Sequence, residues 1–171
     1  MPDVGKIFDL TLTEAKNDLI GKKGLTLGHI YAFKPDGSMG IFALDPSIFE
    51  PGAVKAGFAR RLRQALLDGG YEVYGFCSEA WVSHRELGDG KGDILPEDDP
   101  DRDEVLMIVV GTKERGYVRH YKMHRRPDGT VRRLSELEYD PDAHGGRFGH
   151  LLTPQAWDGM PQHGLAGVMR H

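Results

Sequence analysis

The 171-residue chain has little cysteine and no long apolar segment. Cys77 is the single cysteine, so an intrachain disulfide framework and any Cys-x-x-Cys zinc or redox motif are excluded. The longest apolar run, Val105 to Val110, has the length of a strand, whereas a membrane-spanning helix needs about 18 residues or more. The N-terminus shows no basic region followed by an apolar segment, so no secretory signal is predicted. Together these absences predict a cytoplasmic protein with no membrane association.

The chain also lacks the excess of positive charge that is typical of nucleic-acid-binding proteins. It has 26 acidic residues and 22 Lys and Arg residues, for a net charge of −4 at pH 7. The charges are nevertheless segregated, because Glu86 to Glu104 is strongly acidic and Lys113 to Arg133 is strongly basic. One interpretation is two solvated faces that partly neutralise each other, with each exposed pair contributing about 0.2–1 kcal/mol. The other is a local anion-binding patch.

The first half of the sequence predicts two helices and a hairpin. Thr11 and Glu14 have the spacing of a capping box and predict a short helix over about 12–20. Two apolar runs, 25–33 and 39–44, flank a Pro-Asp-Gly turn and predict a β-hairpin. Apolar residues recur at helical spacing from Val54 to Leu66, which predicts the main helix over 53–67.

The second half predicts strands. These cover about 71–82, 104–112, 117–126 and 130–139, and the last three form an antiparallel meander. Because the run from Val105 to Val110 is apolar on both faces, we expect a central strand that is covered on both sides. The predicted fold is therefore α+β: a single domain over 1–152, with an antiparallel sheet made of the hairpin and the meander. Helix 53–67 and the short N-terminal helix pack on this sheet, and 153–171 forms an arm or tail.

The strand over 117–126 carries the clearest candidate for an anion site. Strand alternation places His120, Lys122, His124 and Arg126 on one face, and Arg132 and Arg133 follow after the next turn. This patch predicts binding of phosphate, nucleic acid or an acidic partner segment, unless the face is simply solvated or faces the acidic stretch. His120 and His124 do not predict a metal site, because four strand residues span roughly 13 Å. No cofactor is predicted.

A second candidate lies in the sequence Ser78-Glu79-Ala80-Trp81. We expect Glu79 to be partly buried beside Trp81, and a buried carboxylate needs a partner or a raised pKa. Arg102, at the start of the next strand, is the predicted partner. The pair is either structural or part of a polar site lined by Trp81. Cys77, on the same face, is expected to be a small buried hydrophobic residue.

The block 78–81, the acidic spacer after it and the sequence Pro100 to Leu106 together resemble small bacterial and phage-borne proteins. The late sequence from Gly146 to Leu152 resembles the same proteins, so the similarity covers about residues 71–152. These proteins have no assigned activity, and the resemblance therefore implies no catalytic residue. It does indicate four candidate binding residues, namely Glu79, Trp81, Arg102 and Glu104.

Three functions remain open from the sequence. The chain has no Gly-x-Ser-x-Gly elbow, no Walker A loop and no Gly-x-Gly-x-x-Gly motif, which favours a non-catalytic binding or interaction protein, a homodimer or a component of a complex. The first alternative is a small hydrolase-like enzyme whose polar cleft would combine Glu79 with His120 and with His144 or His150. The second is a nucleic-acid-associated protein that uses the basic segment 117–133.

Overall fold

The computed structural model of the chain describes residues 3–26, 28–44, 53–82, 98–137 and 146–154. Residues 83–97, which include the first part of the acidic stretch, lie outside these ranges, as do His144 and residues 155–171. The described helices are α1 (Val4–Leu19), α2 (Ala53–Asp68) and α3 (Gly146–Gly149). The described strands are β1 (Gly28–Phe33), β2 (Met39–Leu44), β3 (Val73–Val82), β4 (Asp103–Thr112), β5 (Gly116–Arg125) and β6 (Val131–Glu136).

The six strands form one antiparallel sheet in the order β2-β1-β3-β4-β5-β6. The predicted α+β class with an antiparallel sheet is confirmed. The centre of the sheet is β4, whose side chains alternate between two hydrophobic cores. Val105, Met107 and Val109 belong to the core under α2 and α3, and the intervening residues belong to the core under α1. The apolar run therefore marks a strand that is covered on both faces.

Helix α1 is longer than the sequence predicts. It begins at Val4, because the carboxylate of Asp3 accepts a hydrogen bond from the backbone N–H of Gly5 at 2.8 Å and caps the helix. Thr11, the predicted cap, lies inside the helix and its hydroxyl donates to the Ile7 carbonyl at 2.8 Å. The helix packs closely on β3 at Gly75, where an added Cβ would lie 2.5 Å from Thr11 Oγ1.

The opposite face of the sheet is covered by α2 and by the segment around α3. Ala59, Leu62 and Leu66 of α2 pack in the same core as Tyr74 and other residues of the sheet. Tyr74 is completely buried, and its hydroxyl donates to the carbonyl of Phe148 and accepts from the N–H of Leu151 at 3.0 Å. This hydroxyl therefore fixes the α3 segment to the sheet.

The covering of the sheet is uneven at β2. Helix α1 lies over β3 and β4, whereas Met39 and Ile41 of β2 are 48% and 56% exposed. Ala43 is exposed as well, and the alternate residues Phe42 and Leu44 pack into the core on the other side. We call the surface formed by Met39, Ile41 and Ala43 the open β2 face.

Candidate functional site

Two carboxylates and one guanidinium form a polar cluster on the α1 side of the sheet. Arg125 Nε donates to Glu104 Oε2 at 2.6 Å, and Arg125 Nη2 lies 3.6 Å from Glu79 Oε1. Arg125 Nη1 also donates to the backbone carbonyls of Lys23, at 2.7 Å, and Gly129, at 2.8 Å. The cluster therefore ties the loop after α1 and the turn between β5 and β6 to the centre of the sheet.

The predicted pairing of Glu79 with Arg102 is wrong, because Arg125 occupies that place. The register pairs Trp81 with Glu104, so Arg102, two residues earlier, lies next to Trp81. Its guanidinium carbon lies 4.5 Å from the centre of the Trp81 ring, a cation–π arrangement, and Nη1 donates to the Asp99 carbonyl at 3.3 Å.

The four candidate binding residues therefore come together on one face, where β3 ends and β4 begins. They form two separate contacts: Arg102 stacks on Trp81, and Glu79 and Glu104 share Arg125. Sequence reasoning missed Arg125, because it lies on β5 and reaches the carboxylates through long-range strand pairing. The polar groups of the cluster bind one another and nearby backbone carbonyls, so the cluster has a structural role. It links β3, β4 and β5 to the loop after α1 and to the turn between β5 and β6.

The electrostatics of Glu79 are dominated by its burial. Removal from water raises the pKa of this carboxyl above its ordinary value of 4.5, and the neighbouring carboxylate of Glu104 acts in the same direction. The N–H of Leu25, which donates to Glu79 Oε2 at 3.2 Å, and the charge of Arg125 both lower the pKa but do not outweigh burial. Glu79 therefore takes up a proton more readily in the folded protein than in the unfolded chain.

The residues of the predicted anion patch fall into two groups. His120, Lys122 and His124 share the α2 side of β5 with the buried Val118, and Arg133 is the strand partner of His124. We call these three residues and Arg133 the basic β5 face. The remaining two residues do not belong to this face. Arg126 donates to Thr130 Oγ1 at 3.2 Å in the turn, and Arg132 falls at the register shift between β5 and β6.

The basic β5 face carries positively charged side chains, although part of their charge is paired. Lys122 Nζ lies 2.5 Å from Asp103 Oδ1, and His124 Nε2 lies 2.7 Å from Ser135 Oγ. Desolvation lowers the pKa of His124, and the cations of Arg133 and Lys122 lower it further. Protonation of His124 is therefore disfavoured, and the fixed positive charges of this face are Arg133 and Lys122, the latter paired with Asp103.

The polar cleft of the enzyme hypothesis is not formed by the described histidines. Glu79 lies on the α1 side of the sheet, whereas His120 lies on the other side, so the sheet separates the two groups. His150 lies between α3 and Leu151, and both Phe148 and Leu151 pack in the core on the α2 side. His144 lies outside the described residues.

Two pockets that the sequence did not predict lie between α1 and β1. The first has a volume of about 250 Å³, and its lining includes Asp18, His29, Tyr31 and Cys77. Antiparallel pairing of β1 with β3 and packing of α1 on β3 bring these side chains together, and no local motif joins them in the sequence. Burial raises the pKa of the Cys77 thiol to about 12, so this thiol is protonated at neutral pH and is not a ready nucleophile.

The second pocket has a volume of about 500 Å³ and lies near the N-terminal end of α1. Its lining includes Lys6 and Leu10 of α1, Phe33 of β1 and Pro35 of the hairpin turn. The open β2 face lies on the strand next to β1.

Within 3–26, 28–44, 53–82, 98–137 and 146–154, no group of three or more His, Cys, Asp or Glu residues is arranged to hold a metal ion. In the same part of the chain, no helix combines the length and hydropathy needed to cross a membrane. No protein-family model, curated protein or solved structure matches the chain.

Proposed function

We propose that this protein is a non-catalytic interaction protein that binds another polypeptide through the open β2 face. The observation that carries the proposal is the exposure of Met39 and Ile41 side by side on an edge strand. An edge strand presents unpaired backbone N–H and C=O groups, and large apolar side chains next to them favour contact with a second chain. The surface combines both features in one place.

The second pocket lies close to this surface. Phe33 lines the pocket and is the strand partner of Met39. Addition of a strand to an exposed sheet edge is a common mode of peptide recognition, in which backbone hydrogen bonds give affinity and side-chain pockets give specificity. The geometry therefore supports recognition of an extended polypeptide.

Site-specific photo-cross-linking in the native cells tests this proposal. A benzoylphenylalanine at position 41 is expected to form a covalent adduct with a polypeptide, because Ile41 lies at the centre of the proposed surface. The matched control is the same replacement at position 67, since Leu67 is also an exposed apolar residue, 39% exposed, but lies on α2. Absence of an adduct at position 41, or equal adducts at both positions, would contradict the proposal.

A second candidate function is anion binding by the basic β5 face. The observation that favours it is the strand register, which places Arg133 opposite His124 and on the same face of the sheet as Lys122. A single-stranded oligonucleotide is the appropriate probe, because an extended phosphate backbone can follow an open strand face. The net charge of −4 makes this the less favoured function.

Fluorescence anisotropy with a labelled oligonucleotide tests the second candidate. If the basic β5 face binds phosphates, affinity falls steeply with salt, and Arg133→Ala lowers the slope of log K against log salt by about 1. Arg60→Ala is the matched control, because Arg60 is an exposed arginine of α2. Absence of binding at low salt, or identical behaviour of the two variants, would reject this function.

A further inference from the structure

The two edges of the sheet are built differently. The β6 edge carries Arg132, Arg133 and Glu136, and its pairing with β5 contains a register shift. Charges and bulges at an edge are the usual devices that prevent an edge strand from pairing with another chain. The β2 edge has neither device, because Met39–Leu44 contains no ionisable side chain and its pairing with β1 is regular.

From this difference we infer that β2 pairs with β2 of a second copy of the chain, antiparallel and about a two-fold axis. The two sheets would then join into one continuous sheet of twelve strands. This inference rests on the proposed function and names the polypeptide that the open β2 face binds. An isologous two-fold contact of this kind is the commonest arrangement in homo-oligomers.

The strand is complementary to itself in both charge and side-chain pattern. Because it has no charged residue, two copies meet without the repulsion that identical charged strands would experience. Antiparallel pairing that sets odd-numbered residues opposite odd-numbered residues places Met39 and Ile41 of both copies on one face. The apolar surface that is open in one copy is then partly covered by the other.

The difference between the β2 edge and the β6 edge favours a closed dimer over a filament. Head-to-tail growth would require β2 of one copy to pair with β6 of the next, and the charges and register shift of β6 oppose this. The shared strand is short, since six residues span roughly 20 Å. The resulting contact is smaller than a standard interface of about 800 Å² per partner, so we expect a reversible dimer that dissociates on dilution.

A cysteine scan of β2 in the full-length protein tests the pairing. Single variants Met39→Cys, Ile41→Cys and Ala43→Cys are oxidised under mild conditions, alone and in pairwise mixtures. Directly opposed residues of antiparallel strands have Cα atoms about 4.5–5.5 Å apart, within the reach of a disulfide. We expect disulfide-linked dimers of twice 19.0 kDa, with sharp maxima only at the pairs that one register sets opposite each other, for example Ile41→Cys alone together with the mixture of Met39→Cys and Ala43→Cys.

Two controls keep the test specific. The native Cys77 is buried, so the parent protein is expected to remain uncross-linked, and Leu67→Cys on α2 is expected to remain monomeric. Equal cross-linking at all β2 positions and at position 67, or none at any β2 position, would overturn the pairing. Absence of any photo-adduct at position 41 would contradict the proposed function. Adducts only with a polypeptide of another mass would contradict pairing with a second copy and leave the proposed function intact.

Discussion

Tyr74→Phe is expected to lower the free energy of unfolding by about 2–4 kcal/mol, because it removes one hydroxyl that serves two buried backbone groups. The carbonyl of Phe148 loses its donor and the N–H of Leu151 loses its acceptor, while both remain buried. Each unsatisfied buried group costs about 1–3 kcal/mol. Urea unfolding of the variant and the parent measures the difference.

The matched control is Tyr71→Phe. The Tyr71 ring packs edge-on against Phe42 with ring centres 5.6 Å apart, and phenylalanine keeps this contact. We expect the control to change stability by less than about 1 kcal/mol, as is usual for substitutions that leave packing intact. Equal stability of Tyr74→Phe and the parent would show that the α3 segment is not fixed to the sheet in this way.

Arg125→Met is expected to lower the free energy of unfolding at neutral pH by about 2–3 kcal/mol. Loss of one partner of a buried ion pair costs about 3–5 kcal/mol, and the partial exposure of these groups reduces that figure. The side chains of Arg125, Glu79 and Glu104 are each about one-quarter exposed. The variant leaves the two carboxylates next to each other without the intervening cation.

The loss of stability in Arg125→Met should depend on pH in a defined direction. Burial already raises the pKa of Glu79 above 4.5, and removal of Arg125 raises it further. A carboxyl whose pKa is higher in the folded state favours folding while it is protonated, and this contribution is lost as the pH rises through the folded pKa. The loss of unfolding free energy in Arg125→Met is therefore smallest in acid and grows as the pH rises above 4.5.

Urea unfolding at several pH values, with Arg126→Met as the control, measures this dependence. Arg126 is the adjacent arginine, but it is exposed and bonds within its own turn, so its replacement should cost little at any pH. A deficit of Arg125→Met that is independent of pH, or larger in acid, would show that Glu79 and Glu104 are not held by Arg125.

The local features of the fold could be predicted from the sequence, and the long-range features could not. The alternation and turn residues indicate the strands, and the helical spacing indicates α2, because these signals reside within a few residues. The partial burial of Glu79 follows from its position in a buried strand. Its partner does not, because Arg125 is brought to Glu79 by the pairing of β3 with β4 and of β4 with β5.

The open β2 face illustrates the same limit. Every residue of Met39–Leu44 is apolar or glycine, so the sequence cannot indicate which side of the strand is covered. Burial is decided by α2, which packs on the side of Phe42 and Leu44, and by α1, which lies over β3 and β4. The two pockets between α1 and β1 likewise depend on where the helix packs, and the capping box at Thr11 misplaced the start of that helix.

Sedimentation velocity of the untagged protein over a range of concentrations tests the pairing of β2 most directly. We expect a reversible equilibrium between a monomer of 19.0 kDa and a dimer. Ile41→Lys should raise the dissociation constant at least about tenfold, since burial of one isoleucine contributes about 1.5–3 kcal/mol and a charged edge opposes pairing. Leu67→Lys should leave it unchanged. A parent protein that stays monomeric at every concentration, or a dimer that Ile41→Lys does not weaken, would contradict pairing through β2.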